Sequence, residues 1–277
     1  MILFQWVPLA GNVIAFQEYR PYLPLTGQTW VGFENFAFIV DPTFLNALEN
    51  TLVLTLIQSV LVFPIPLALA LVLNSLAGEQ LKRLLQSIFY LPHFLSWVIV
   101  VALFQQMLGN AGILNTFLLQ NDLGAVQIVG EPDLFRVLLT SQVIWKSAGW
   151  GTIIFLAAIS RIDQEQYEAA AVDGAGSWRR MWHITLPSLK GLFILLFILQ
   201  LGESLTVGFE QIILQQGAVG REASEVIDTW VYNNGVIDQN WGLAAAAGLF
   251  KSVIGVCLVI GANKLAHVFG ERGVYER

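Results

Sequence analysis

The sequence predicts an all-α, polytopic membrane protein with six transmembrane helices, and three observations carry that prediction. Of its 277 residues 56% are hydrophobic and only 12% charged, with a mean hydropathy of +0.64. Soluble domains carry about 25% charged residues, so too few remain here to coat a water-facing surface. The apolar residues gather into long runs instead of alternating along strands or striping a helix, and a bilayer crossing needs roughly 20 mostly apolar residues. The lysines and arginines fall between the runs with a one-sided bias.

The runs are 1–16, 47–73, 84–108, 134–159, 191–213 and 242–266, read as one membrane domain over 1–277. The first, Met1 to Phe16, is too short to cross alone. It lacks the charged start and small-residue cleavage site of a signal peptide, and reads as the later part of a helix that begins upstream. In the second, Pro64 and Pro66 remove two backbone donors and should bend the helix. Gly109–Gly112 and Gly217–Gly220 mark loops at helix ends. The segments 74–83, 160–190 and 263–277 hold Lys82, Arg83, Arg161, Arg179, Arg180, Lys190, Lys264, Arg272 and Arg277, nine of 14 basic residues. The alternate segments hold only Arg20 and Arg221. Basic residues are retained in the cytoplasm, which places the 160–190 loop and both termini there.

Several functions are excluded by what is missing. A formal net charge of −6 offers no basic stripe to nucleic acid. The single cysteine, Cys257, allows no intrachain disulfide and reads as a small packing residue. No G-x-x-x-x-G-K-[ST] string occurs, so the chain cannot cradle nucleotide phosphates in that manner. His93, His183 and His267 are far apart and have no metal-ligand spacing. The chain is not read as an enzyme.

One loop is dense in signals. Between the fourth and fifth runs stands Tyr167-Glu168-Ala169-Ala170-Ala171-Val172-Asp173-Gly174-Ala175, then five residues, Met181, and Ile184-Thr185-Leu186-Pro187. Asp163 can cap a short helix here. The alanines favour helix and keep it slim enough to enter a groove. Gly174 can supply a left-handed stop, and Pro187 suits the first turn of the next crossing. Glu168 and Asp173 project polar contacts from the element.

This segment resembles the EAA loop of permease subunits in binding-protein-dependent ABC importers, E-A-A-x-x-D-G-A, five residues, Phe, then I-x-L-P. Only the Phe differs, as Met181, another large and adaptable apolar side chain. The Asp-Gly-Ala form is associated with carbohydrate uptake. Ala15-Phe16-Gln17-Glu18-Tyr19, Trp30-Val31-Gly32-Phe33-Glu34-Asn35-Phe36, Tyr90-Leu91-Pro92-His93-Phe94-Leu95-Ser96-Trp97 and Gly208-Phe209-Glu210-Gln211 look like landmarks of polysaccharide-type sugar permeases, in the same order. The resemblance implies the type I ABC importer permease fold in a bacterial cytoplasmic membrane. It implies a cytoplasmic EAA loop over 160–187, in which Glu168, Ala169, Ala170, Asp173, Gly174 and Ala175 couple to an ATP-binding subunit. The implied partners are a second homologous permease, two ATP-binding subunits that hold the ATP and magnesium, an extracytoplasmic solute-binding protein and membrane lipid. No cofactor is expected in this chain. The implied cargo is an oligosaccharide, with acidic chains such as alginate in view. Two rival readings are the same machine with a polyol or glycerol phosphodiester cargo, and an ion-coupled secondary transporter. The latter predicts inverted repeats and broken helices, neither of which is read here.

Charges inside apolar runs are costly and commonly face a bundle interior or a watery path. Lys146, Glu203, Glu210 and Lys251 qualify. Either the lysines pair internally with Glu203 or Glu210, or these groups line the substrate path. Trp145 and Trp150 beside Lys146 could hold a pyranose ring, although tryptophan is also an ordinary interfacial anchor.

Overall fold

A computed structural model describes residues 7–76, 78–268, 270 and 273. Among the described residues, five stretches are long and apolar enough to cross a membrane: Pro42–Ser75, Trp97–Gln120, Pro132–Ile159, Ser177–Gly202 and Trp241–Val268. Of the first run, 1–16, residues 1–6 lie outside the described set, as do Arg272 and Arg277 of the basic tail. The described part is a short helix α1 (Val7–Gly11) followed by a 3₁₀ segment, Asn12–Phe16. Two short strands, β1 (Gln17–Glu18) and β2 (Thr29–Trp30), then pair antiparallel with Gln17 opposite Trp30.

The second crossing is α2 (Pro42–Ile57), a π-helical turn (Gln58–Val62) and α3 (Ile65–Ser75). Pro64 and Pro66 lack the N–H groups a regular ladder needs. The chain answers with a wide turn in which the Phe63 amide donates to the Gln58 carbonyl at 2.9 Å. The predicted bend is present.

The third run departs from the expectation of one unbroken helix over 84–108. It comprises α4 (Glu79–Tyr90), a 3₁₀ turn (Leu91–Phe94) and α5 (Trp97–Leu108), capped by the Ser96 hydroxyl. Pro92 within the turn cannot donate; Leu91 before it keeps helical angles, and the backbone becomes extended at Leu95 and Ser96. Helix α6 (Ile113–Gln120) comes next, and then α7 (Pro132–Ile159). α3 packs along α7, and α4 ends against its middle. There Gly149 has no Cβ, and one would collide with the Phe89 carbonyl.

The basic loop contains α8 (Gln164–Val172) and α9 (Ser177–Arg180), and α9 runs through a π turn into α10 (Leu186–Gly202). This helix stops at Gly202, short of the expected end at 213. Beyond it the chain forms four short helices, α11 (Phe209–Ile213), α12 (Gln216–Val219), α13 (Arg221–Ser224) and α14 (Ile227–Tyr232), then a π turn (Asn233–Ile237) and α15 (Trp241–Val268). The reason is polar content: Glu203, Ser204, Thr206, Glu210, Gln211, Gln215 and Gln216 interrupt the apolar run, and the chain folds back to satisfy them.

Among the described residues, the buried apolar side chains form three clusters along the bundle. One joins Phe38, Phe44, Ile227 and Trp230 to the start of α15. A second holds Leu54, Phe135, Leu139 and Ile212. The third, at the end carrying the 160–187 loop, packs Ala70, Phe155, Ile159 and Leu189.

Candidate functional site

Between the π turn of the second crossing, the middle of α7 and the end of α10 lies a cavity of about 420 Å³. Phe63, Pro66 and Phe155 are among its apolar lining, and Gln58, Ser147, Trp150, Gln200 and Glu203 supply the polar groups. Local structure places each of them. Gln58 opens the π turn. Ser147 and Trp150 are three apart on α7, and Gln200 and Glu203 three apart at the end of α10, so each pair shares a helix face. Glu203 is the residue at which α10 stops. An apolar hollow with a few convergent polar groups is the usual form of a small-molecule site. Amides, a hydroxyl and a carboxylate can hydrogen-bond hydroxyl groups, while an aromatic face covers an apolar ring face.

Of the six path residues predicted from sequence, this cavity gathers Trp150 and Glu203. Trp145 points elsewhere and meets Phe104 edge-on at 6.0 Å. Glu210 sits on α11, outside any long helix. Of the two readings of the lysines, the pairing with Glu203 or Glu210 is not formed as a hydrogen bond or ion pair among the described residues. The Lys146 ammonium donates to the His93 carbonyl at 2.8 Å and to the Leu95 carbonyl, and lies 5.5 Å from the Trp97 ring centroid. Lys251 pairs with Asp228, a residue assigned from sequence to a connecting segment. That pair lines a separate cavity of about 870 Å³ beside α15. A search for charges within apolar runs passes over Gln58, Ser147 and Gln200; the available signal was uncharged amides and hydroxyls in the same runs.

The loop follows its sequence closely. The Asp163 carboxylate accepts from the Glu165 amide at 3.0 Å, opening α8 as an N-cap. Gly174 has φ +75°, the left-handed stop its position calls for. Glu168, Ala169, Asp173 and Gly174 are exposed, and Ala170 and Ala175 partly so. A side-chain hydrogen bond ties the helix down: Tyr167 Oη meets Thr185 Oγ1 at 2.8 Å, just before α10 begins.

Residues 61–267 match the family described as "Binding-protein-dependent transport system inner membrane component". Protein LplB of Bacillus subtilis strain 168 is 42% identical over 276 residues, covering 99% of this chain and 87% of that protein. The polygalacturonan/rhamnogalacturonan transport system permease protein YteP of the same strain is 44% identical, with coverage of 99% and 86%. A chain in the crystal structure of a bacterial alginate ABC transporter, in complex with alginate pentasaccharide-bound periplasmic protein, superposes with a TM-score of 0.90 at 35% identity, covering 99% of this chain and 92% of that one. These matches set aside the ion-coupled alternative, although a broken helix is present after all. The chain belongs to the binding-protein-dependent inner-membrane transport components, and its fold is that of a type I ABC importer permease.

Proposed function

We propose that this permease carries an oligosaccharide into a bacterial cell by alternating access, through the cavity between the π turn and α3 of the second crossing, α7 and α10. The observation that carries this reading is the cavity lining: one tryptophan, three neutral polar side chains and one carboxylate in an otherwise apolar wall. The names of YteP and of the alginate transporter, both handling acidic polysaccharides, support an acidic cargo. With Lys146 and Lys251 already engaged, a uronate in this cavity would meet the donors of Gln58, Ser147 and Gln200, and the second permease would supply the remaining contacts.

In the proposed machine two ATP-binding subunits hold ATP and magnesium, a solute-binding protein delivers the sugar, and this chain holds no cofactor. α8 is the coupling helix, with Glu168, Ala169, Ala170, Asp173, Gly174 and Ala175 at the contact. Its motion reaches the membrane through the Tyr167–Thr185 hydrogen bond and along the continuous helical rod Ser177–Gly202, whose far end carries Gln200 and Glu203. The loop and both termini lie in the cytoplasm.

The test is reconstitution with the partner subunits and binding protein. Uptake is measured with galacturonate oligosaccharides, matched neutral oligosaccharides, a polyol and a glycerol phosphodiester. Uronate or neutral oligosaccharide uptake that drops in Trp150→Ala is the expected result; transport of the non-sugar probes alone would overturn it. For orientation, Ser177→Cys in a Cys257→Ala background should resist an impermeant thiol reagent in spheroplasts, and rapid labelling from outside would reverse the topology.

A further inference from the structure

The turn Leu91–Phe94, which separates α4 from the crossing that opens at Trp97, lies beside the cavity, and one side chain holds this break in the helix. Around Leu91–Phe94 the helical ladder is interrupted, leaving carbonyls without their usual donors. An ammonium has three donors and no acceptor, and Lys146 uses it on His93 O and Leu95 O, beside the face of Trp97. Among the described residues, the hydrogen bonds of this ammonium go to carbonyl oxygens and none to a carboxylate, while the Glu210 carboxylate lies close enough to act on its charge. Placing a lysine at mid-membrane to support a break is expensive, and an unbroken apolar helix would need no such support. The break therefore calls for some return.

Its visible product is the placement of His93. The imidazole leaves the turn sideways and lies flat on Trp150, centroids 4.5 Å apart and planes at 3°, while Phe94 meets Trp150 edge-on at 5.8 Å. His93 Nδ1 is buried and makes no hydrogen bond, and the ring's contact with Trp150 is through its face. Trp150 is still 45% exposed and lines the cavity. Lys146 and Trp150 are four residues apart on α7, one turn along the same face, so clamp and platform are a single unit.

We propose that Lys146 and His93 are positioning residues for sugar recognition: Lys146 clamps the turn between α4 and α5 so that His93 backs Trp150 and fixes its ring toward the cavity. This rests on the cavity being the sugar path. Lys146 itself touches no sugar. A ring already held in place loses less side-chain freedom on binding than a loose one, so the clamp acts on affinity and leaves turnover nearly alone.

The complete transporter in proteoliposomes, with labelled trigalacturonate as probe, separates the possibilities. Lys146→Met and His93→Ala should raise the half-saturating probe concentration about threefold to tenfold, the range of one aromatic contact. Maximal rates should stay within about twofold. Lys146→Arg keeps a donor and His93→Phe keeps a ring, and both should stay near wild type. In fluorotryptophan-labelled complex, the Trp150 resonance, identified by its loss in Trp150→Phe, should shift in the two disruptive variants and hold in the two conservative ones. Unchanged half-saturation and resonance in Lys146→Met and His93→Ala would overturn the proposal. Wild-type uptake by Trp150→Ala would instead remove the cavity reading. Impaired Trp150→Ala with normal Lys146→Met and His93→Ala removes the positioning role alone. Should Lys146→Met fail to assemble, His93→Ala against His93→Phe decides, because both leave the clamped carbonyls in place.

Discussion

The two ends of the bundle treat their polar groups in opposite ways. At the loop end Glu168, Asp173 and Gly174 are exposed, and with them Val172 at 89% and Trp178 at 72%. Their surroundings are built from local contacts, such as Asp163 to Glu165. At the opposite end Asn50, Gln142, Gln211, Gln215 and Asn233 are buried and bonded across distant parts of the chain. Gln142 Oε1 accepts from Gln211 at 2.7 Å and from Gln215 at 3.1 Å, and Asn50 donates to the Glu225 carbonyl at 3.0 Å while accepting from Arg136 at 2.9 Å. The exposed Val172 and Trp178 offer an apolar surface to a partner; at the other end the chain pairs most of its buried amide groups itself, with Gln216 Nε2 left without a partner. Function should therefore fail first at the loop end, and stability first at the opposite one.

The largest expected effect is on transport. Proline fixes φ near −65° and cannot take the +75° of Gly174, so Gly174→Pro destroys the stop of α8. Glu168→Lys reverses a charge on its exposed face. Each variant should insert and melt like wild type, yet lose uptake and transport-coupled ATPase. Full uptake by both would show that this end is not where the ATP-binding subunit docks.

Next comes the opposite end. Gln142→Leu removes the side chain that Gln211 and Gln215 share, leaving buried amide groups without partners at about 1–3 kcal/mol. In a chain of this length that lowers the melting temperature by roughly 5 °C. Purified complex should show the loss while the coupling contacts stay intact. A Gln142→Leu complex as stable as wild type would mean that the amide cluster is not what holds the 203–240 segment to α7.

The same contrast explains what sequence could show. The loop was legible because its signals are local: a capping aspartate, an alanine run, a glycine stop and a proline fall within 25 residues, Asp163 to Pro187. The crossings were legible as apolar runs wherever the apolar run alone decides the structure. The break at Leu91–Phe94 was not, because Pro92 permits a break while the lysine that completes it lies on α7, 51 residues beyond Leu95. Likewise Asp228 answers Lys251 from a segment that composition assigns to a loop, and α10 ends at Gly202 because residues after it find partners on α7. Pairing of charges inside a membrane is a three-dimensional property: the apolar runs offered Glu203 and Glu210 as candidate partners, whereas the fold supplies backbone carbonyls to Lys146 and Asp228 to Lys251.

The smallest effect tests whether exposure or position sets the cost. Asp41 stands at the opposite end but is exposed, capping α2 by accepting from the Thr43 amide at 2.7 Å and the Thr43 hydroxyl at 2.6 Å. The Thr43 hydroxyl first, and its amide second, hold the Asp41 carboxyl below the usual aspartate range. Because the folded-state value is the lower one, the stabilisation is fully present above the ordinary aspartate pKa of about 4 and fades as pH falls through the depressed value. Asp41→Ala should cost about 0.5–1 kcal/mol at neutral pH, the low end for a lost cap because water screens it. Asp41→Asn keeps an acceptor and should cost less. The gap in melting temperature between wild type and Asp41→Ala should narrow below about pH 4, whereas that between Asp41→Asn and Asp41→Ala should not. A gap of several kcal/mol, or one indifferent to pH, would place Asp41 with the buried network and weaken the division between a self-sufficient interior and a surface that depends on local contacts.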